Sequence, residues 1–140
     1  MAVVNVEYNT EIQAEAEKIW DILANVEAWP EWQGTPFIKL RTPTSTEENS
    51  LFEVKLAGLK WKVTVTKAER PKRFAWIGEA LGMKGNHEWE FEEREGKTYA
   101  TTKESVSGWM VIPLYFLVRR NVQRLDEKWL VDLKTVAERP

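Results

Sequence analysis

The sequence predicts an α+β fold in which a curved antiparallel sheet of about seven strands closes around a long C-terminal helix, with two short helices after the first strand. Three observations carry that expectation. Segments that alternate apolar and polar residues with a period of two recur between residues 3 and 106, the signature of strands with one buried and one wet face. From Pro113 onward Leu114, Val118, Val122, Leu125, Trp129, Leu133 and Val136 recur every three or four residues, which is one apolar stripe on a helix. Eight tryptophans, at 20, 29, 32, 61, 76, 89, 109 and 129, supply more aromatic bulk than a core of 140 residues ordinarily needs, so some are expected to line a space rather than fill one.

Residues 3–12 set Val4, Val6, Tyr8, Thr10 and Ile12 on one side and Asn5, Glu7, Asn9 and Glu11 on the other, which predicts the first strand. Ala16, Ile19, Trp20 and Leu23 then follow at the spacing of an amphipathic helix, with Glu15, Glu17 and Asp21 in or near its first turns but no Ser, Thr, Asp or Asn at the obvious cap. Asn25 is expected to end that helix. Val26-Glu27-Ala28-Trp29-Pro30-Glu31-Trp32 makes a second short element, which Pro30 either opens or interrupts.

Strands are expected at 36–42, 50–57, 60–69, 73–80, 85–94 and 97–106, separated by Gly, Pro, Asn or charged turns and spaced for consecutive hairpins. Phe52, Val54 and Leu56 oppose Glu53 and Lys55, and Trp61, Val63 and Val65 oppose Lys60, Lys62, Thr64 and Thr66. In 85–94, His87, Trp89 and Phe91 share the apolar face while Glu88, Glu90 and Glu92 face solvent, beside basic neighbours such as Lys62. The last helix, of about 25 residues and roughly 38 Å, carries Arg120, Gln123, Arg124, Glu127, Lys128 and Lys134 on its polar face. The sheet's apolar face has one economical partner, that helix, and the whole of 1–140 is expected to form one domain.

Composition narrows the function. Twenty Lys and Arg against 22 Asp and Glu leave a net charge of -2, without the basic footprint that phosphate-backbone binding needs, so no nucleic-acid partner is expected. There is no cysteine, which excludes disulfides, thiolate metal sites and cysteine nucleophiles. Met1-Ala2-Val3-Val4-Asn5 lacks a basic segment followed by an apolar one, so the expected compartment is the cytoplasm. The longest apolar run, Trp109 to Val118, is about half the length that crosses a bilayer and contains Pro113, so stable membrane insertion is not expected.

The stretch Ile12-Gln13-Ala14-Glu15-Ala16-Glu17-Lys18-Ile19-Trp20-Asp21-Ile22-Leu23, with Val26 to Trp32 after it, looks like the first strand, "VW" helix and "WPxW" turn of a known superfamily. Gly85-Asn86-His87-Glu88-Trp89-Glu90-Phe91, Gly96-Lys97-Thr98 and Glu104-Ser105-Val106-Ser107-Gly108 are similar to its final hairpin. In order and spacing these pieces resemble the START-like, or SRPBCC, superfamily, whose helix-grip fold is shared by Bet v 1-like and polyketide cyclase/dehydrase-like proteins. The resemblance covers nearly the whole chain. It implies a cup between sheet and C-terminal helix that holds a hydrophobic ligand, and no single activity, since the fold serves binding, transfer, cyclisation and co-chaperone roles. No cyclase or hydrolase catalytic set maps onto this chain residue by residue.

The cup is expected to be lined by Trp32, Phe52, Val54, Trp61, Val63, Trp76, His87, Trp89, Glu104, Leu114, Val118 and Val122. His87, the only histidine, is either a core histidine with one hydrogen bond or a ligand contact; alone it makes no multi-histidine metal site, and neither metal nor cofactor is expected. Glu104 shares a face with Ala100, Thr102 and Val106: turned inward it forms a buried polar centre with His87, turned outward it pairs with a base at the rim. Trp20 and Trp129 are expected in the core and Trp29 and Trp32 near one end of the cup.

The run 109–118 has three readings: buried by the short helices, a portal for a lipid-like ligand, or a patch that touches a membrane or joins a homodimer. Arg119 and Arg120 after it either steady an anionic head group or are simply solvated. The function these features favour is binding or transport of a small hydrophobic molecule, whether lipid, isoprenoid or polyketide-like. The alternatives are a polyketide cyclase/dehydratase-type enzyme acting through His87 or Glu104, and a co-chaperone-like interaction module.

Overall fold

Alternation in the sequence becomes a seven-stranded antiparallel sheet in the computed structural model, which describes residues 3–56 and 58–140. β1 (Val4–Ile12), β2 (Ile38–Leu40), β3 (Leu51–Leu56), β4 (Leu59–Glu69), β5 (Arg73–Ala80), β6 (Met83–Arg94) and β7 (Lys97–Ser107) lie in the order β1-β7-β6-β5-β4-β3-β2. Hairpins join β2 through β7 in sequence, and β1 returns to pair beside β7, with Val4 opposite Val106 and Ile12 opposite Thr98. Two short helices, α1 (Ala16–Ala24) and α2 (Trp29–Trp32), follow β1, and the long α3 (Tyr115–Ala137) packs across the sheet against β1 and β7. This is the helix-grip arrangement that the alternation and the terminal stripe predict.

Tertiary contacts supply what the local sequence omits. α1 has no capping side chain of its own, and Glu93 Oε1 on β6 accepts the Ala16 N–H at 2.7 Å, satisfying one of the unpaired donors of the first turn. Pro30 sits in the first turn of α2, where a missing N–H removes no helical bond, so it opens the element. β2 is shorter than the expected 36–42, and position 57, at the end of the expected strand 50–57, lies outside the described residues. Lys62 is not beside the glutamates of β6, because β5 stands between β4 and β6. Lys62 instead faces Glu53 and Glu79, while Glu88 and Glu90 find Lys103 and Arg73.

Strand register stacks the inner face into rows that differ in bulk. One row reads Ala68, Phe74, Trp89, Thr102, Tyr8; the next reads Val65, Trp76, His87, Glu104, Val6; the third passes through Val63, Gly78, Gly85, Val106, Val4. Near the first row the interior is filled: Trp20 meets Phe74 edge-on at 5.6 Å, and Trp29, fully buried on α2, meets Phe52 at 5.4 Å, Trp76 at 5.2 Å and Trp129 at 4.7 Å. The Trp29 indole N–H donates to Leu23 O at 2.9 Å, so this aromatic packing leaves that polar group satisfied. At the third row the paired glycines leave the sheet surface bare, and the Trp61 ring lies over them: a Cβ on Gly78 would be 3.3 Å from that ring.

The approach to α3 is fixed at the same end. Gly108 has φ 121°, and a Cβ there would lie 2.1 Å from Gly82 O, so glycine is required where the β5–β6 turn meets the chain leading into the helix. Among the described residues no helix is long and apolar enough to cross a membrane.

Candidate functional site

Between the bare third row and the N-terminal half of α3 lies a cavity of about 270 Å³, close to the lower end of the range for small-molecule sites. Val54, Trp61, Val63, Trp76, His87, Glu104, Leu114, Val118 and Val122 line it, all of them expected from the sequence. Trp32, Phe52 and Trp89 do not. Phe52 and Trp89 belong to the filled interior, and Trp32 leans on Trp129 at 5.7 Å. The wall also includes Leu56, Gly78, Met83, Gly85, Leu117, Asn121 and Leu125, together with Trp129, which the stripe pattern placed in the core alone.

One end of the cavity is polar. His87 is buried, and its Nε2 lies 2.6 Å from Thr102 Oγ1, whose hydroxyl donates in turn to Glu88 O at 3.3 Å. Thr102 therefore accepts from the ring, which puts the imidazole proton on Nε2 and leaves a lone pair on Nδ1. That lone pair faces Glu104 Oε1 at 3.6 Å, too far for a hydrogen bond. Glu104 points inward, with Oε2 toward Gly85 in the cavity wall.

Behind this pair stands Asp126, fully buried on α3, with Oδ1 3.9 Å from His87 Nε2. Asp126 was not among the expected site residues, yet its signal is in the helix stripe: it lies four residues after Val122 and three before Trp129, on the buried face. Glu104 Oε1 and both Asp126 oxygens are buried with no protein donor to satisfy them. Burial, and then the Asp126 carboxyl beside it, push the Glu104 carboxyl well above the usual carboxylate range. Burial lowers the His87 imidazole, with Asp126 opposing, so the ring favours its neutral form.

One ligating atom from each of the three side chains falls within 4.8 Å of the others. The two ring nitrogens face different carboxyls, however, and Nε2 is already engaged by Thr102.

The opposite end opens to solvent. Leu114 and Leu117 line the cavity and are themselves exposed, and beside them Trp109 and Phe116 keep 68% and 82% of their surface in water. The run 109–118 is therefore not buried by the short helices; Val111 is buried instead with Val4, Val106 and Val122 in a small satellite core, against which Tyr115 and Val118 pack half-buried. Arg119 and Arg120 are exposed and do not line the cavity.

Residues 3–138 match the family described as polyketide cyclase / dehydrase and lipid transport. No curated protein matches the sequence. Among solved structures the chain is similar to the Zhui aromatase/cyclase from Streptomyces sp. R1128, with a TM-score of 0.81 at 16% identity over 99% of this chain and 95% of that one. It is also similar to a START superfamily protein from Mycobacterium smegmatis, with a TM-score of 0.78 at 15% identity over 96% and 97% of the two chains. A hypothetical protein from Helicobacter pylori gives a TM-score of 0.78 at 20% identity over 98% and 88%. At these identities the structural likeness establishes the fold.

Proposed function

This chain belongs to the polyketide cyclase / dehydrase and lipid transport family, within the START-like superfamily, and on that premise we propose that it binds a small hydrophobic molecule between the sheet and α3. The observation that carries this reading is the cavity itself: it is walled by aliphatic and aromatic side chains, and His87 and Glu104 are the ionisable groups in its lining. A wall of that kind rewards burial of an apolar body, and a single polar end fixes which way round the body lies. Native mass spectrometry of protein from its own host, with thermal shift across an apolar panel, tests the proposal. A bound mass of a few hundred daltons and a raised midpoint for some members are expected; a chain that is always empty and unmoved by every member would defeat it.

A second reading, acid–base catalysis on a bound polyketide-like chain, is favoured by one observation, the buried His87 ring 3.6 Å from the inward-facing Glu104 carboxyl, where burial favours the neutral form of each. In that reading His87→Ala or Glu104→Gln abolishes turnover while ligand is still bound. Unchanged turnover in both variants would remove it.

A further inference from the structure

The polar end of the cavity contains three buried carboxyl oxygens without partners, beside one unpartnered donor in the lining, the Trp129 indole N–H. Glu104 Oε1 and both oxygens of Asp126 have no protein donor, and with its proton on Nε2 the His87 ring turns its Nδ1 lone pair toward Glu104. Among the described residues no lysine or arginine lines the cavity, and the nearest basic pair in sequence, Arg119 and Arg120, is exposed outside it. Two carboxyls held this close in a buried place favour any group that brings positive charge or hydrogen-bond donors, and they disfavour a third anion. Glu104 is the member within a ligand's reach, because it lines the cavity and turns Oε2 to the wall at Gly85, while Asp126 stands behind it, fully buried.

Resting on the binding function above, we propose that this cavity selects amphiphiles whose head group donates hydrogen bonds, a protonated amine above all, and rejects those with carboxylate or phosphate heads. The ammonium donates to Glu104 Oε2, its charge is balanced by the carboxyl pair, and the apolar tail runs past Val63, Trp61 and Val118 toward the mouth. The proton that burial holds on Glu104 when no ligand is bound is released to solvent as the ammonium arrives.

Three ligands with the same ten-carbon tail, decylamine, decanol and decanoate, separate the head from the tail in competition titrations against a neutral fluorescent probe. Decylamine is expected to bind at least about tenfold more tightly than decanol, the size of one charge-assisted hydrogen bond, with decanoate weakest. Glu104→Gln and, independently, Asp126→Asn should each collapse the ratio of amine to alcohol affinity toward one, an effect that a merely structural role, which would weaken both ligands alike, would not produce. Decanoate binding as tightly as decylamine, or an amine preference that survives in both variants, would overturn the proposal and leave the binding function standing. Failure of all three ligands to bind would remove the binding function together with it.

Discussion

The two ends of the interior are built from the same strands and the same kinds of residue, yet one is filled and the other is open. At the filled end Phe74 and Trp89 face each other across β5 and β6, and Trp20 and Trp29 come down from α1 and α2 to close the space. Two registers further along the same pair of strands the facing residues are Gly78 and Gly85, and the space they leave becomes cavity. Between them lies the Trp76–His87–Glu104 row, where the polar groups collect. Filled core and open cavity thus occupy different lengths of one sheet, set by the size of the side chains on successive rows.

The largest expected effect tests the filled end. Trp29→Ala removes the ring on which Phe52, Trp76 and Trp129 converge, and should cost about 3–5 kcal/mol in urea unfolding. Trp61→Ala at the open end, where the ring is only partly buried, should cost clearly less and weaken ligand binding instead. Equal losses of stability would erase the distinction between the two ends.

The middle row is sharpened by pH. The folded chain holds a proton on Glu104 that the unfolded chain releases near the ordinary value of 4.5, so this group favours the fold at low pH and its contribution is lost as pH rises through the raised folded value. His87 acts with the opposite sign: its folded value is lowered from 6.5, so its contribution is present above 6.5 and lost as pH falls. Glu104→Gln is expected to remove a decline of the unfolding midpoint that begins in wild type as pH rises above the ordinary carboxylate range, read by circular dichroism as the difference between the two proteins; parallel curves would contradict the raised carboxyl.

A smaller effect is expected at the bare row. Gly78→Ala places a Cβ 3.3 Å from the Trp61 ring, which has cavity to move into, so the midpoint should shift little while affinity for an apolar probe falls. The smallest belongs to the mouth: Phe116→Ser, at a side chain 82% exposed, should change stability by no more than about 0.5 kcal/mol.

Much of this division was legible in the sequence, and where it was not the reason is physical. Period-two runs located the strands within a few residues, and the His87-Trp89-Phe91 alternation placed the inner face correctly. Alternation gives a face but not a depth along the strand, so Phe52 and Trp89 were grouped with Val54 and Trp61 although only the latter two reach the cavity. Lys62 was misplaced beside β6 because facing within one strand says nothing of which strand lies next to it. Asp126 was passed over because a charged residue on a helix is normally solvated; only its spacing from Val122 and Trp129 marked it as buried. The role of Gly78 and Gly85 depends on register, which brings the two into opposition and is not written in either strand alone.

The central claim, that the open end is a binding site separate from the filled core, is tested most directly by Val118→Trp, which places an indole from α3 into the cavity. Titration of a neutral fluorescent apolar probe should show saturable one-to-one binding to wild type and none to the variant, with both unfolding at similar urea concentrations. Equal binding by the two proteins would contradict the account.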